Sequence, residues 1–436
     1  MNITPPLAPS TVAQSHAESS KSYEWKAVTL MALGMGLVGI DRFLIVPLMP
    51  VLMRDLKLDY QDLGHITGAL ALAWGLSALL TGNLSDRIGF KRVIVPAMVG
   101  FSLLAGLGGL ATGVGSLIAI RAFMGVAEGA FTPASIIATM DASPPSRHGR
   151  NVGIQQMMPA LLGLGLTPIV VTQLLKVMSW PWIFLLVAFP GFVVAFLAQR
   201  VLRRPSPTEI AKHTATHDTG QHRWYEVFRY RNVPLGIICM LCWLACQIVI
   251  AALFPNYLVD YLHLDMQQMG FILSSLGFGG AIGALVLPAL SDRVGRKPVM
   301  LLSTAGVFLS LWIFLRTGAA PVPLFICLMI AMGCLYSLIT LTVGPVAAEA
   351  VPVQLMSTAS GMIIGIGEVF GGGVAPAYAG YLAKHFGIEH AVTMPLWTIC
   401  AGAIAVAALK ETAPARIFNK RGIDPEENEG NDARQL

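Results

Sequence analysis

Charge is scarce in this sequence. Asp, Glu, Lys and Arg make up 12% of the 436 residues, against 55% hydrophobic ones. A soluble globular protein carries about 25% charged residues. The apolar residues also come in long blocks, which excludes a water-soluble fold and points to an integral membrane protein. Cysteine is scarce too. The six (239, 242, 246, 327, 334 and 400) all fall inside apolar blocks, so no disulfide framework is implied. Cys239-x-x-Cys242 has redox or zinc spacing, but no second ligand pair accompanies it, and packing is the better reading. The N-terminus lacks the basic region and short apolar core of a signal peptide. Neither His-Glu-x-x-His nor Gly-x-Ser-x-Gly occurs, and no large polar block exists to fold as a soluble domain. An enzyme is therefore not expected, and no metal or organic cofactor is called for.

Apolar windows of roughly 20 residues, the length that crosses a bilayer as helix, recur twelve times. They predict helices near 25–52, 62–85, 92–112, 115–140, 150–175, 181–201, 233–258, 268–290, 298–316, 321–348, 357–383 and 390–410. Strands are not expected, because hydrocarbon leaves open backbone groups unsatisfied. The 44 glycines suit close helix packing in lipid. The chain divides into a disordered tail (1–22), a six-helix bundle (23–201), a linker (202–231), a second six-helix bundle (232–411) and a disordered tail (412–436). Within the linker, "RWYEVFRYR" reads as a short amphipathic helix at the membrane surface.

Lysine and arginine set the orientation. With twelve spans and both tails in the cytoplasm, 22 of the 29 fall on the cytoplasmic side and five on the external side. The remaining two, Arg42 and Arg121, lie inside predicted helices. Asp41 and Glu128 share those helices. Each such charge costs about 2.5–3.5 kcal/mol on insertion scales, so intramembrane ionisable residues mark function by default.

The halves repeat. "GNLSDRIGFKRV" (82–93) follows the second helix and "PALSDRVGRKPV" (288–299) follows the eighth, with Asp86 and Asp292 206 residues apart. Internal repeats of this kind mark transporters, with substrate bound between the halves near the bilayer midplane. A loop with an Asp, helix ends and several cations can form a latch that differs between conformations. Asp86, Arg87, Gly89, Lys91, Arg92, Asp292, Arg293, Gly295, Arg296 and Lys297 are its candidate members. Cations that merely set topology are the plainer alternative.

Together these features resemble the major facilitator superfamily, whose signature loop reads G-x-L-x-D-R-x-G-R/K-K/R. Gly82, Leu84, Asp86, Arg87, Gly89, Lys91 and Arg92 fit it, with Phe90 inserted, and the second copy keeps Asp292, Arg293, Gly295, Arg296 and Lys297. The resemblance implies an all-α protein of twelve transmembrane helices in two pseudo-symmetric six-helix bundles, normally a monomer. Asp41-Arg42 in the first helix and "RAFMGVAEGAFTPA" (121–134) in the fourth resemble the anion:cation symporter group. That group carries sugar acids, aromatic acids, sialic acid and glutamate. The likeness implies that Asp41 and Glu128 couple protons and that Arg42 and Arg121 meet an organic anion. In "SPPSRHGR", Ser146 stands where the group is expected to have an acid.

The resulting expectation is a proton-coupled symporter of a small organic carboxylate in the cell's inner membrane. Two acids and two arginines balance to neutrality, the cheapest way to hold four ionisable groups in a membrane. A carboxylate that claims an arginine frees an acid to take a proton. Neutral contacts are expected from Gln155, Gln156, Gln247, Asn256, Tyr257 and Tyr336, with Ser274, Ser275 and Thr340 as weaker candidates. Glu368, in "GIGEVFGGGVAPAYAG", is a possible extra protonation site, a partner for a substrate cation or a gating group. The competing reading is a proton-driven efflux antiporter for drugs or metabolites. The Gly-Pro-x-x-Gly-Gly pattern usual in the fifth helix of such antiporters is absent from "GIQQMMPALLGLGLTPIV".

Overall fold

The structure is a computed structural model that describes residues 11–144, 147–203, 224–347, 349–352 and 355–412. Among the described residues, eleven helices are long and apolar enough to cross a membrane: α1 (Ser22–Leu56), α3 (Phe90–Gly108), α4 (Val114–Asp141), α5 (Arg150–Leu174), α6 (Trp180–Val201), α7 (Asn232–Tyr261), α8 (Met266–Ser291), α9 (Arg296–Arg316), α10 (Pro321–Val346), α11 (Thr358–Phe386) and α12 (Ile388–Ala408). Tyr60–Ile88, 29 residues of unbroken helix, is α2. The chain is thus an all-α, multi-pass membrane protein, with no strand among the described residues.

One expectation needs correction. Helix extends back to Thr11 and continues through Phe43, so it occupies half of the tail expected to be disordered. Within the stretch expected as a short amphipathic helix, Trp224–Arg229 forms a 3-10 helix of six residues. Its Val227 is fully buried in a cluster with Val233, Met240 and Leu244, which anchors the linker's end to the second half. The linker middle, 204–223, and the tail from 413 lie outside the described residues.

The repeat has a physical basis in the two signature loops. Gly89 and Gly295 sit 206 residues apart and both adopt positive φ, 88° and 111°. A side chain is strained there, so glycine turns one helix into the next. Two residues on, Lys91 donates to the Leu202 carbonyl at 2.6 Å and Lys297 to the Leu409 carbonyl at 3.0 Å. Each lysine therefore ties the third helix of its half to the end of the sixth. The side chains of Asp86, Arg87 and Asp292 lie outside the described residues, while Arg92 and Arg293 are exposed.

The basic loops share one face of the bundle, where ion pairs hold each half to itself. Arg147 pairs with Glu24 at 2.5 Å, and Arg296 with Glu349 at 2.9 Å. The other face ties half to half. Lys384 pairs with Asp59 at 2.8 Å, and Tyr60 donates to Asp260 at 3.3 Å. Burial pushes the Asp59 carboxyl up, but Lys384 and the backbone N–H groups of Asp62 and Gln61 outweigh it and leave Asp59 below its ordinary range.

Glycines carry this inter-half packing. On α2 and α11, a methyl at Gly64 would strike the Pro376 carbonyl and one at Gly68 the Gly373 carbonyl; on α8, one at Gly277 would strike the backbone of Gly165 on α5. Small residues let helix backbones approach in this way where lipid supplies no hydrophobic drive.

Candidate functional site

Sequence chemistry loosens the helices where the halves meet. Pro47 lacks the N–H that would bond to the Phe43 carbonyl four residues back, and α1 breaks at Leu44. Pi-helical segments interrupt α5 at Pro159–Leu166, α7 at Tyr257–Tyr261, α10 at Thr342–Val346 and α11 at Glu368–Val374. Such wide turns recur at functional sites.

Arg121 crosses from α4 to the break in α1. Its Nη1 donates to the Asp41 carbonyl at 2.8 Å and to the Arg42 carbonyl at 3.3 Å. These carbonyls lie in the turn just before the break at Leu44, so the guanidinium adds a side-chain donor to the main chain there. Nη2 of Arg121 is buried without a hydrogen-bond partner among the described residues.

Arg42 reaches across the halves. Its Nη2 donates to Glu368 Oε2 at 3.0 Å and Oε1 at 3.3 Å. Phe43 and Trp74 flank it, with ring centres 5.8 and 5.6 Å from the guanidinium carbon.

The expected quartet therefore needs revision. Asp41, Arg121 and Glu128 are 3%, 2% and 0% exposed, and the three are electrostatic neighbours. No carboxylate–guanidinium bond joins Asp41 to Arg42, because adjacent residues on a helix diverge by about 100°. None joins Glu128 to Arg121 either: seven residues put them roughly 10 Å apart along the axis. Arg42 takes its partner from the other half instead, so the cluster holds three acids against two arginines. Oδ1 of Asp41 and both carboxyl oxygens of Glu128 have no hydrogen-bond partner among the described residues.

A narrow cavity of about 20 Å³, room for about one water, lies beside the arginines. Arg42, Arg121 and Thr67 supply its polar lining; the rest is apolar, including Phe43 and Leu70 from the first half and Ile248 and Ala251 from the second. Nothing in the sequence pattern distinguished Thr67, Leu70, Ile248 or Ala251 from lipid-facing residues. Trp74 was also missed, although an indole N–H in an apolar helix is a signal. Its Nε1 is buried without a partner.

The neutral candidates scatter. Gln247 donates to the Tyr336 hydroxyl at 2.9 Å, and Tyr336 is an electrostatic neighbour of both Arg42 and Glu368. That pair belongs to the site. Gln155 is engaged within the first half, bonded to Thr139 and Ser135 at 2.7 Å, and Gln156 is exposed on α5. Asn256 donates to Asp260 at 2.9 Å and Met53 at 3.0 Å near the inter-half face. Tyr257 packs among Phe254, Tyr261 and Phe314. Ser274, Ser275 and Thr340 bond to carbonyls of their own helices.

A family model described as "Major Facilitator Superfamily" matches residues 31–364 and 235–433. The chain is 26% identical to a "Probable 4-methylmuconolactone transporter" of Cupriavidus pinatubonensis, covering 83% of this chain and 89% of that protein. It is 24% identical to the "4-hydroxybenzoate transporter PcaK" of Pseudomonas aeruginosa, covering 81% and 85%. Among solved structures, a bacterial homologue of the human lysosomal transporter Spinster, inward-facing and occupied, superposes with a TM-score of 0.72 at 15% identity, covering 89% of this chain and 96% of that one.

Proposed function

The chain belongs to the Major Facilitator Superfamily, and we propose that it takes up a small, largely apolar organic carboxylate together with protons by alternating access. One observation carries this reading. Buried Arg121 and half-buried Arg42 face a narrow cavity between the halves that is otherwise apolar, with a single hydroxyl and three acids close by. Arginine suits a carboxylate by its fork of donors, and Nη2 of Arg121 is unengaged. A sugar acid would bring several hydroxyls, and each hydroxyl buried without a partner costs about 1–3 kcal/mol. An aromatic or similarly apolar acid avoids that cost. The printed functions of the 4-hydroxybenzoate and 4-methylmuconolactone relatives support the same class.

Charge balance supplies the coupling. Buried unpaired charge is expensive, so the cluster is cheapest when neutral. Empty, its three acids and two arginines need one proton for neutrality. Loaded with a monoanion, they need two. Each anion thus brings one additional proton, received by Asp41 or Glu128: Oδ1 of Asp41 and both oxygens of Glu128 lack hydrogen-bond partners among the described residues. Anion and proton favour each other's binding by linkage. The positive-inside bias supports a cytoplasmic position for the basic face and both tails, and an inner-membrane monomer belongs to the same reading.

Asp41→Asn tests the reading in proteoliposomes. Uphill uptake driven by a proton gradient should vanish, while exchange of labelled for unlabelled carboxylate persists. Uphill uptake at the parent rate would refute it.

A further inference from the structure

Among the described residues, Glu368 is the acidic side chain of the second half that pairs with the first half at the cluster. We propose that Glu368 is a tethered carboxylate that occupies Arg42 in place of the transported anion and thereby holds the two halves together until that anion displaces it. The inference rests on the reading that Arg42 meets the anion.

Three observations carry it. First, the contact has the chemistry of an anion site. Both Glu368 oxygens lie within 3.3 Å of one Arg42 nitrogen, and Phe43 and Trp74 hold the guanidinium between them. A free carboxylate can make the same contact, so exchange leaves the charge at Arg42 unchanged. Removing one partner of a largely desolvated pair without replacement is strongly unfavourable. Displacement by an anion avoids leaving the arginine bare.

Second, the pair joins elements that alternating access must move apart. A buried pair within one half can persist through the cycle. One between halves is made and broken as they rock, as part of the conformational balance.

Third, the backbone around Glu368 is built to shift. Glu368 opens the pi-helical segment that ends at Val374. A methyl at Gly372 would lie 2.6 Å from Glu368 Oε2, and one at Gly75 on α2 would lie 3.2 Å from its Cβ. Glycine at both positions leaves the carboxylate room that any other residue would take. Besides Arg42, Glu368 has Glu128 on α4 and Tyr336 on α10 as electrostatic neighbours.

The test has two arms. In a Cys400→Ser background, spin labels at Thr112→Cys and Gly318→Cys report the separation of the halves on the face opposite the basic loops, without ligand. Glu368→Gln should lengthen this distance in a growing share of molecules. Arg42→Gln should do the same, and the double variant should add nothing further. Glu368→Asp, one methylene short, should fall between. A parent-like distance distribution in folded Glu368→Gln, or fully additive shifts, would overturn the proposal.

The second arm is calorimetric binding of benzoate. Glu368→Gln should bind at least tenfold more tightly than the parent, because the internal competitor is gone. Equal or weaker binding would overturn the proposal. Benzoate binding to neither protein would count against the apolar-carboxylate reading, and the distance arm would then decide the inter-half tie by itself.

Discussion

Gly89 and Gly295 turn the chain with the same sign of φ, and Lys91 and Lys297 brace the same pair of helices in each half. At midplane the likeness ends. The first half places Asp41, Arg42, Arg121 and Glu128 in its interior; the positions 206 residues on are Gln247, Ile248, Cys327 and Cys334. The second half answers with Gln247 and Tyr336 bonded to each other, and with Glu368 from α11. One scaffold has thus been copied while the charges were not. Buried charges are costly to move away from their partners. Keeping most of them within one half lets the other rock against it with, among the described residues, one ionic contact to exchange at midplane.

The comparison can be broken hardest at the arginines. Arg121→Gln removes the donors to the Asp41 and Arg42 carbonyls along with a cation beside two acids. At about 3–5 kcal/mol for breaking a buried charge network, uptake should fall more than a hundredfold. Cys334→Ser, 206 residues after Glu128, should change uptake by less than twofold. Initial rates of labelled carboxylate uptake in proteoliposomes compare the two. Next comes the seam. Gly277→Leu should stop turnover at least tenfold while leaving carboxylate binding measurable, because the added side chain meets the Gly165 backbone. Transport at the parent rate would show that this close approach is not needed in the cycle.

Smaller effects sharpen the neutral side. Gln247→Leu and Tyr336→Phe each remove one hydrogen bond, worth about 0.5–1.5 kcal/mol, and should raise the KM for uptake two- to tenfold without uncoupling protons. Weakest of all is the exposed pair Lys384–Asp59. Lys384→Ala should change uptake less than twofold at neutral pH, as exposed pairs contribute little. Asp59 titrates below its ordinary range, so whatever the pair contributes is complete above about pH 4. It fades as pH falls through the lowered value. The stability difference between parent and variant should therefore close in acid, which thermal melts across pH would check.

The twelve spans and the two halves were legible because hydrocarbon permits few alternatives: long apolar runs must be helices, and the duplicated loop dates the repeat. The glycine at the turn was legible as a motif, though its positive φ emerged only from the fold. Asp41, Arg42, Arg121 and Glu128 stood out by being charged where charge is costly. Their partners did not. Which atoms meet depends on helix rotation and on the approach of α11 to α1, and local spacing encodes neither. Arg121 binding main-chain carbonyls required knowing that α1 breaks beside Pro47. Arg42 choosing Glu368 required a contact 326 residues long in sequence. Glu368 itself was visible as an acid in a glycine-rich run, and its role was not. The apolar lining was illegible, since Leu70 and Ile248 look like any residue that faces lipid.

The central claim is that a carboxylate and a proton cross together. Proteoliposomes carrying a trapped pH-sensitive dye, with membrane potential clamped, should be given benzoate and then other apolar carboxylates under conditions where passive acid leakage is subtracted using protein-free vesicles. The account expects protein-dependent acidification of the lumen in step with carboxylate uptake, one proton per monoanion. Carboxylate flux without proton movement, or with protons moving the opposite way, would contradict it.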